Sequence, residues 1–393
     1  MNGFIEVDYA QNWKHSERIA GDVFLLSRDK TEGRIVCTLS DGLGSGVKAN
    51  VLANLTATMG QKFTTSRMDI VDSARVIMKT LPTCRERKIS YSTFTMVDIN
   101  SSGVAKIVEY DNPPYMLIRN GKVLKIEKTV IPLENRFPGR TEQLYYSEVN
   151  LQNEDRLIFF SDGVSQSGMG TAKLPLGWRT PFIEEFVTAE INKDRNISAR
   201  DLSRKITSRA LLNDIQKAKD DITCAVVYPR KPRKLLLVSG PPIDPENDQH
   251  LLEKYEAFTG KKIICGGTTA GIIAEGLNTE IETDLRERTA DIPPLSRMEG
   301  ADLVTEGILT LSKTAEMLET KDSWVAMQTN AVRRLICMLM NTDEVHFLVG
   351  TKINEAHQDP SIPVELGLRR TIIHRIKTIL ESKYLKQTFL EYI

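Results

Sequence analysis

Along the first 230 positions, apolar residues recur in two rhythms. Short runs rich in Ile, Val, Tyr and Phe, separated by turn pairs such as Asn120-Gly121, predict strands at 35–39, 91–99, 105–110, 115–119, 122–127, 142–150, 155–161 and 222–228. Helical spacing over 47–62, 68–81 and 198–212 predicts three helices. The second of these stops ahead of Pro82, because the residue before a proline is pushed out of the α region. Hairpin-type links between the strands point to mostly antiparallel sheets. Over 165–200 the pattern weakens around Gly168, Gly170, Gly177 and Pro181, and this otherwise polar and partly helical stretch is read as a flap.

The rhythm changes after the basic, proline-bearing string Pro229-Arg230-Lys231-Pro232-Arg233-Lys234, which divides the chain into domains 1–230 and 231–393. The second half alternates: strand 235–238, helix 245–258, strand 262–265, strand 303–305, helix 308–318, helix 323–340, strand 345–349 and a basic helix over 364–385. Alternation of this kind predicts an α/β domain with a mainly parallel sheet.

Composition narrows the partners. The 52 basic and 52 acidic residues balance, so no net field draws the molecule to nucleic acid, and the basic C-terminal helix lacks the interleaved aromatics of a nucleic-acid reader. Five scattered cysteines without CxxC spacing fit reduced core residues of a cytoplasmic protein. No apolar run approaches a membrane span and the N-terminus is not signal-like, so neither export nor membrane insertion is expected. Self-association stays open.

Chemistry concentrates in four acidic sites of the first domain, each at an apolar strand's end or beside a glycine. They are Asp22 in Ala20-Gly21-Asp22, Asp41 in Ser40-Asp41-Gly42-Leu43-Gly44-Ser45-Gly46, Asp162 in Ser161-Asp162-Gly163, and the pair Asp220-Asp221. A carboxylate at a strand end costs desolvation unless something positive compensates. With no His or Cys nearby, an all-oxygen site for Mg2+ or Mn2+ is the natural compensator. Taken singly, each Asp-Gly is equally a turn pair.

Together the strings IAGDVF, LSDGLGSGVKA, FFSDGV and DDITCAVV, in that order, resemble the bacterial sporulation-stage-II-E-type (SpoIIE-type) serine phosphatases of the metal-dependent protein phosphatase superfamily. Tyr110-Asp111-Asn112-Pro113-Pro114 stands where relatives carry a glycine- or alanine-rich link. The resemblance covers about residues 1–230 and implies an αββα sandwich of two antiparallel sheets flanked by helices, with a two-ion Mn2+ or Mg2+ site at one end. It implies that Asp41 bridges both ions, that the Gly42 carbonyl and Asp22 serve one, and that Asp162 and Asp220 serve the other. Asp221 is the less certain member of its pair, and Asp41 and Asp162 are the catalytic carboxylates. It further implies a phosphoserine or phosphothreonine protein as substrate, of the anti-sigma-factor-antagonist type, with the second domain regulating. A catalytically silent sensor and a small-molecule phosphoester hydrolase are the alternatives. No motif matches Lys14 or Arg18 to the arginine that binds substrate phosphate in some relatives, and His15 fits a surface histidine better than a general acid.

In the second domain, four strands exit into small residues: Ser239-Gly240, Gly266-Gly267-Thr268-Thr269, Glu306-Gly307 and Gly350-Thr351-Lys352, with Asn354 beyond. Parallel sheets bind ligands past their carboxyl ends, and amides at a helix start suit an anion, so a small anionic ligand is expected there. His357 and Glu365 are further possibilities. Plain strand-to-helix turns would use the same residues.

Overall fold

The structure is a computed structural model and describes residues 4–29, 32–44, 46–84, 89–90, 92–133, 142–284, 294–320, 329–352, 365–384 and 386–393. Its contacts divide the chain into two compact units, Met1–Lys231 and Pro232–Ile393.

In the first unit, two antiparallel sheets lie face to face. One runs in the order Phe4–Asn12, Ile222–Arg230, Arg156–Phe160, Met116–Arg119, Lys122–Leu124. The other runs Thr129–Pro132, Gln143–Asn150, Val104–Tyr110, Ser92–Ile99, Ile35–Gly42, Asp22–Arg28. Between them pack Phe24, Cys37, Leu39, Val97, Ile107, Leu157, Phe159 and Val227. Because helices cover the outer faces, the central strands are buried on both sides and read as continuous apolar runs. In Arg156–Phe160, Leu157 and Phe159 point into the sandwich while Ile158 and Phe160 meet the helical layer. Helices Gly46–Thr65 and Ile70–Thr80 flank the six-stranded sheet. The second is capped by Asp69, whose carboxylate accepts from the Val71 amide at 2.9 Å, and it ends at Leu81 before the proline.

The stretch 165–200 is partly helical as expected, but it packs into the core and is not a flap. Its core is the helix Thr180–Lys193, whose Ile183, Val187 and Ile191 are buried in one cluster with Trp178 and with the helix Ala199–Asn213. Gly168, Gly170 and Gly177 all have positive φ (77°, 81° and 78°), so they build tight turns ahead of that helix. The predicted strand 122–127 ends at Leu124, and Thr129–Pro132 joins the other sheet.

The second unit holds a seven-stranded sheet. Five strands are parallel neighbours, in the order Leu303–Thr305, Lys261–Cys265, Lys234–Ser239, Glu344–Val349, Gln387–Tyr392, and a hairpin of Ile281–Asp284 and Leu295–Met298 extends it antiparallel at one edge. Helices Asp248–Ala257 and Gly267–Leu277 pack on one face, and Ile308–Glu319, Ala331–Met340 and Glu365–Ser382 on the other. Chain order reverses between Lys234–Ser239 and Glu344–Val349, which makes that point a topological switch. The helix predicted over 323–340 is described as Ala331–Met340, and 321–328 lie outside the described residues. After Glu365–Ser382 the chain returns as an edge strand that the apolar pattern does not predict. Among the described residues, no helix is long and apolar enough to cross a membrane.

Candidate active site

Strand ends of both sheets of the first unit bring the carboxylates together. In the six-stranded sheet, Asp22 opens one strand and Asp41 nearly closes its antiparallel neighbour, so the two stand opposite each other in register. In the five-stranded sheet, Ser161 follows the end of Arg156–Phe160 and donates its amide to the Thr223 carbonyl at 3.0 Å. This sets Asp162 beside the Asp220-Asp221 approach to Ile222–Arg230.

The two Asp-Gly strings are not turns. Neither Gly42 nor Gly163 has a positive φ, whereas Gly44 (104°) and Gly46 (69°) do. A Cβ on Gly42 would lie 2.1 Å from the Ala49 carbonyl oxygen, and one on Gly163 would lie 2.1 Å from the Asp221 carbonyl oxygen. These glycines let a helix start and a loop close directly onto the backbone next to each aspartate.

Burial, with the charges of Asp22, Asp162, Asp220 and Asp221 added, holds the Asp41 carboxyl well above the usual carboxylate range. Burial likewise pushes Asp22 up to about 8 against the Ser161 and Thr223 hydroxyls beside it, with Asp221 and Asp162 adding repulsion. Asp162 is raised by burial and then by Asp220, partly offset by its hydrogen bonds. Asp220 is raised by burial and partly relieved by Lys14, whose Nζ is 3.8 Å from its Oδ1.

The Asp220-Asp221 pair divides its work. Asp221 is buried, and its Oδ1 and Oδ2 accept from the backbone amides of Lys14 at 3.0 Å and Gly21 at 2.7 Å. Its carboxylate thus ties the 12–21 loop to the last strand, while Asp220 keeps a half-exposed side chain. Three residues not among the predicted ligands support the site: Ser161 Oγ donates to Asp22 Oδ2 at 2.6 Å, Gln166 Nε2 to Asp162 Oδ2 at 2.7 Å, and Asn50 Nδ2 to the Ala20 carbonyl at 2.7 Å. Repetition of Ser-Asp-Gly is the one signal that marks Ser161. Arg18 and His15 are both exposed. In the Tyr110-Pro114 link, Asn112 bonds the hydroxyls of Thr93 and Thr95, and Thr93 is the register partner of Asp41.

The donor set fits a hard divalent cation. It is all oxygen, its carboxylates repel one another, and Asp22 Oδ1 is buried without a hydrogen bond. Among the described residues, no three His, Cys, Asp or Glu side chains stand as a ready-made cage, so the carboxylates converge without forming a closed coordination sphere.

The model of the stage II sporulation protein E (SpoIIE) family matches residues 31–229, just over half of the chain. The chain belongs to the SpoIIE family. Residues 31–229 are therefore a phosphatase-type domain of a metal-dependent serine/threonine phosphatase family. Among solved structures, the SpoIIE phosphatase domain of Bacillus subtilis is 18% identical, with 58% of this chain and 94% of that chain covered and a TM-score of 0.44. The RsbU and RsbW domains of Rv1364c from Mycobacterium tuberculosis are 15% identical over 64% of this chain and 69% of that chain, at a TM-score of 0.45. RsbX in complex with magnesium is 16% identical over 57% of this chain and 95% of that chain, at 0.39. No curated protein matches the chain.

In the second unit of this SpoIIE-family chain, Ser239, Gly240, Gly266, Gly267, Thr268, Thr269, Glu306, Gly307, Gly350, Thr351 and Lys352 stand at the carboxyl ends of four adjacent parallel strands. Thr351 is committed elsewhere, its hydroxyl donating to the Ile393 carbonyl at 2.9 Å. Asn354 and His357 lie outside the described residues, and Glu365 opens the helix Glu365–Ser382.

Proposed function

We propose that this chain is a Mn2+- or Mg2+-dependent phosphatase acting on phosphoserine or phosphothreonine in a protein, of the anti-sigma-factor-antagonist type, with the second unit regulating it. One observation carries the proposal: carboxylates from the ends of both sheets, Asp22 and Asp41 from one and Asp162 and Asp220 from the other, converge where burial alone would penalise them. Asp41 would be shared between two ions, Asp22 and the Gly42 carbonyl serving one and Asp162 and Asp220 the other. Bound there, the ions supply Lewis-acid activation of water and neutralise phosphate charge.

The chain's own residues do the rest. Ser161 and Gln166 fix the Asp22 and Asp162 carboxylates in orientation through single hydrogen bonds. Asp221 holds the loop that carries Gly21 against the site through its two amide contacts. Lys14 places an ammonium at the rim beside Asp220, where it adds positive potential for an incoming phosphate. Asp41 and Asp162 are both held above the usual carboxylate range, so protons on them have to leave before both carboxylates can act as ligands, and cation loading depends on pH.

Hydrolysis of a phosphoserine protein and of an aryl phosphate, each with added Mn2+, tests this. Turnover of the phosphoprotein that disappears with chelator and in Asp41→Asn is expected. Activity indifferent to both would contradict it, and turnover of the aryl ester alone would move the substrate class to small phosphoesters.

A further inference from the structure

Two of the sheet's helices in the second unit begin in the same way at the same place. Gly266 precedes the helix Gly267–Leu277 and Gly307 precedes Ile308–Glu319. Each glycine has a φ closed to other residues (130° and 137°), and neither helix has a side-chain cap. The two turns touch: a Cβ on Gly307 would lie 3.3 Å from Gly266 Cα. Two sets of unpaired first-turn amides, with their helix dipoles, therefore open side by side at the carboxyl edge of the sheet.

A threonine occupies the third position of each helix, Thr269 and Thr310, and both hydroxyls are buried without a hydrogen-bond partner. At this position a side chain ordinarily reaches back to the amide of the capping residue. Gly266 instead donates its amide to the Thr305 carbonyl at 2.9 Å, which leaves the Thr269 hydroxyl with no local acceptor or donor. That hydroxyl lies 3.5 Å from where a Cβ on Gly266 would sit, so it lies against the turn that opens the helix. An isolated buried hydroxyl costs stability unless a ligand completes it. On the same edge, at the switch point, the buried Arg369 guanidinium donates to the Gly350 carbonyl at 3.4 Å and the Lys352 carbonyl at 3.2 Å, adding positive charge. The Glu306 carboxylate, which precedes Gly307 on this edge, is exposed and opposes an anion only weakly.

We propose that this edge binds a small molecule through a phosphate group, seated on the first-turn amides of Gly267–Leu277 with the Thr269 hydroxyl as a further donor. It draws on the second unit alone, so it stands or falls separately from the phosphatase proposal.

Titration calorimetry on the full chain in chelator, with inorganic phosphate and with ribose 5-phosphate, tests it. One site per chain is expected. Thr269→Val should weaken binding about tenfold, the loss of one hydrogen bond to a charged group, while raising the unfolding temperature because an unpaired hydroxyl is gone. Thr269→Ser should keep the affinity, Glu306→Gln should tighten it, and Asp41→Asn should leave it unchanged. If Thr269→Val fails to fold, Thr269→Ala supplies the same deletion. Equal affinity for the two probes identifies free phosphate as the ligand, and tighter ribose 5-phosphate identifies a phosphate ester. Binding of neither probe, or binding that Thr269→Val and Thr269→Ala leave intact, overturns the proposal.

Discussion

Both units place their polar chemistry at strand ends, yet with opposite electrostatic character. In the first, antiparallel pairing sets a strand start against a strand finish, which puts Asp22 opposite Asp41, and the second sheet adds Asp162 and Asp220. In the second, the parallel strands finish at one edge, and Lys261–Cys265 and Leu303–Thr305 each feed a helix through a glycine, so what gathers there is backbone amide. Carboxylates dominate the first edge and backbone amides the second. Topology decides which: antiparallel sheets bring side chains of neighbouring ends together, whereas parallel sheets line up helix starts.

The strongest way to break that contrast is to remove a carboxylate from the first edge. Asp41→Asn is expected to cut Mn2+-dependent turnover by about a thousandfold or more, the equivalent of several kcal/mol of lost transition-state stabilisation. The same variant should raise the unfolding temperature measured in chelator, because mutual repulsion falls. Lower stability in chelator would mean that Asp41 is a structural group.

Asp221→Ala sharpens the division within the Asp220-Asp221 pair. It removes two amide contacts without touching a proposed ligand, so Mn2+ affinity should fall by about 10- to 100-fold while the maximal rate at saturating Mn2+ is retained. A rate that stays low at saturating Mn2+ would make Asp221 a ligand itself.

Gly163→Ala tests whether the Asp-Gly glycines serve close approach. The added methyl would meet the Asp221 carbonyl, so a loss of about 1–3 kcal/mol in denaturant unfolding is expected. A neutral result would return Gly163 to an ordinary helix position.

The last test is of pH dependence. Burial raises the Asp22 carboxyl in the folded chain from its ordinary 3.8 to about 8, so the folded chain without cations binds the extra proton between those values. That contribution to stability is complete below about pH 4 and is lost as pH rises through about 8. In chelator, the unfolding temperature should therefore fall from pH 5 to pH 8, and added Mn2+ should restore more at pH 8 than at pH 5. A midpoint that rises over this range in chelator would contradict the burial of the cluster.

Much of the first unit was legible because its strands are apolar runs cut by acidic strings in a fixed order. What stayed hidden depended on contacts between distant residues. Asp220 and Asp221 are indistinguishable as neighbours in sequence, and only the amides of Lys14 and Gly21, about 200 positions away, separate them. Gly42 and Gly163 look like turn formers because a missing Cβ is silent about its neighbour. The helix Thr180–Lys193 was obscured by the three glycines before it, although Ile183, Val187 and Ile191 carry the four-residue spacing of a buried helical stripe. The last strand, Gln387–Tyr392, has no buried residue and hence no apolar run to announce it. In the second unit the small-residue exits were visible, but that Thr269 and Thr310 hold matching unpaired hydroxyls follows only from their packing.

Mn2+ binding itself tests the central claim most directly. Titrating the full chain while following free Mn2+ by electron paramagnetic resonance should show two ions bound per chain, and the Asp22→Asn/Asp41→Asn double variant should bind neither with comparable affinity. Equal Mn2+ binding by the wild type and the double variant, or none by the wild type, would contradict the assignment of these strand ends as a metal site.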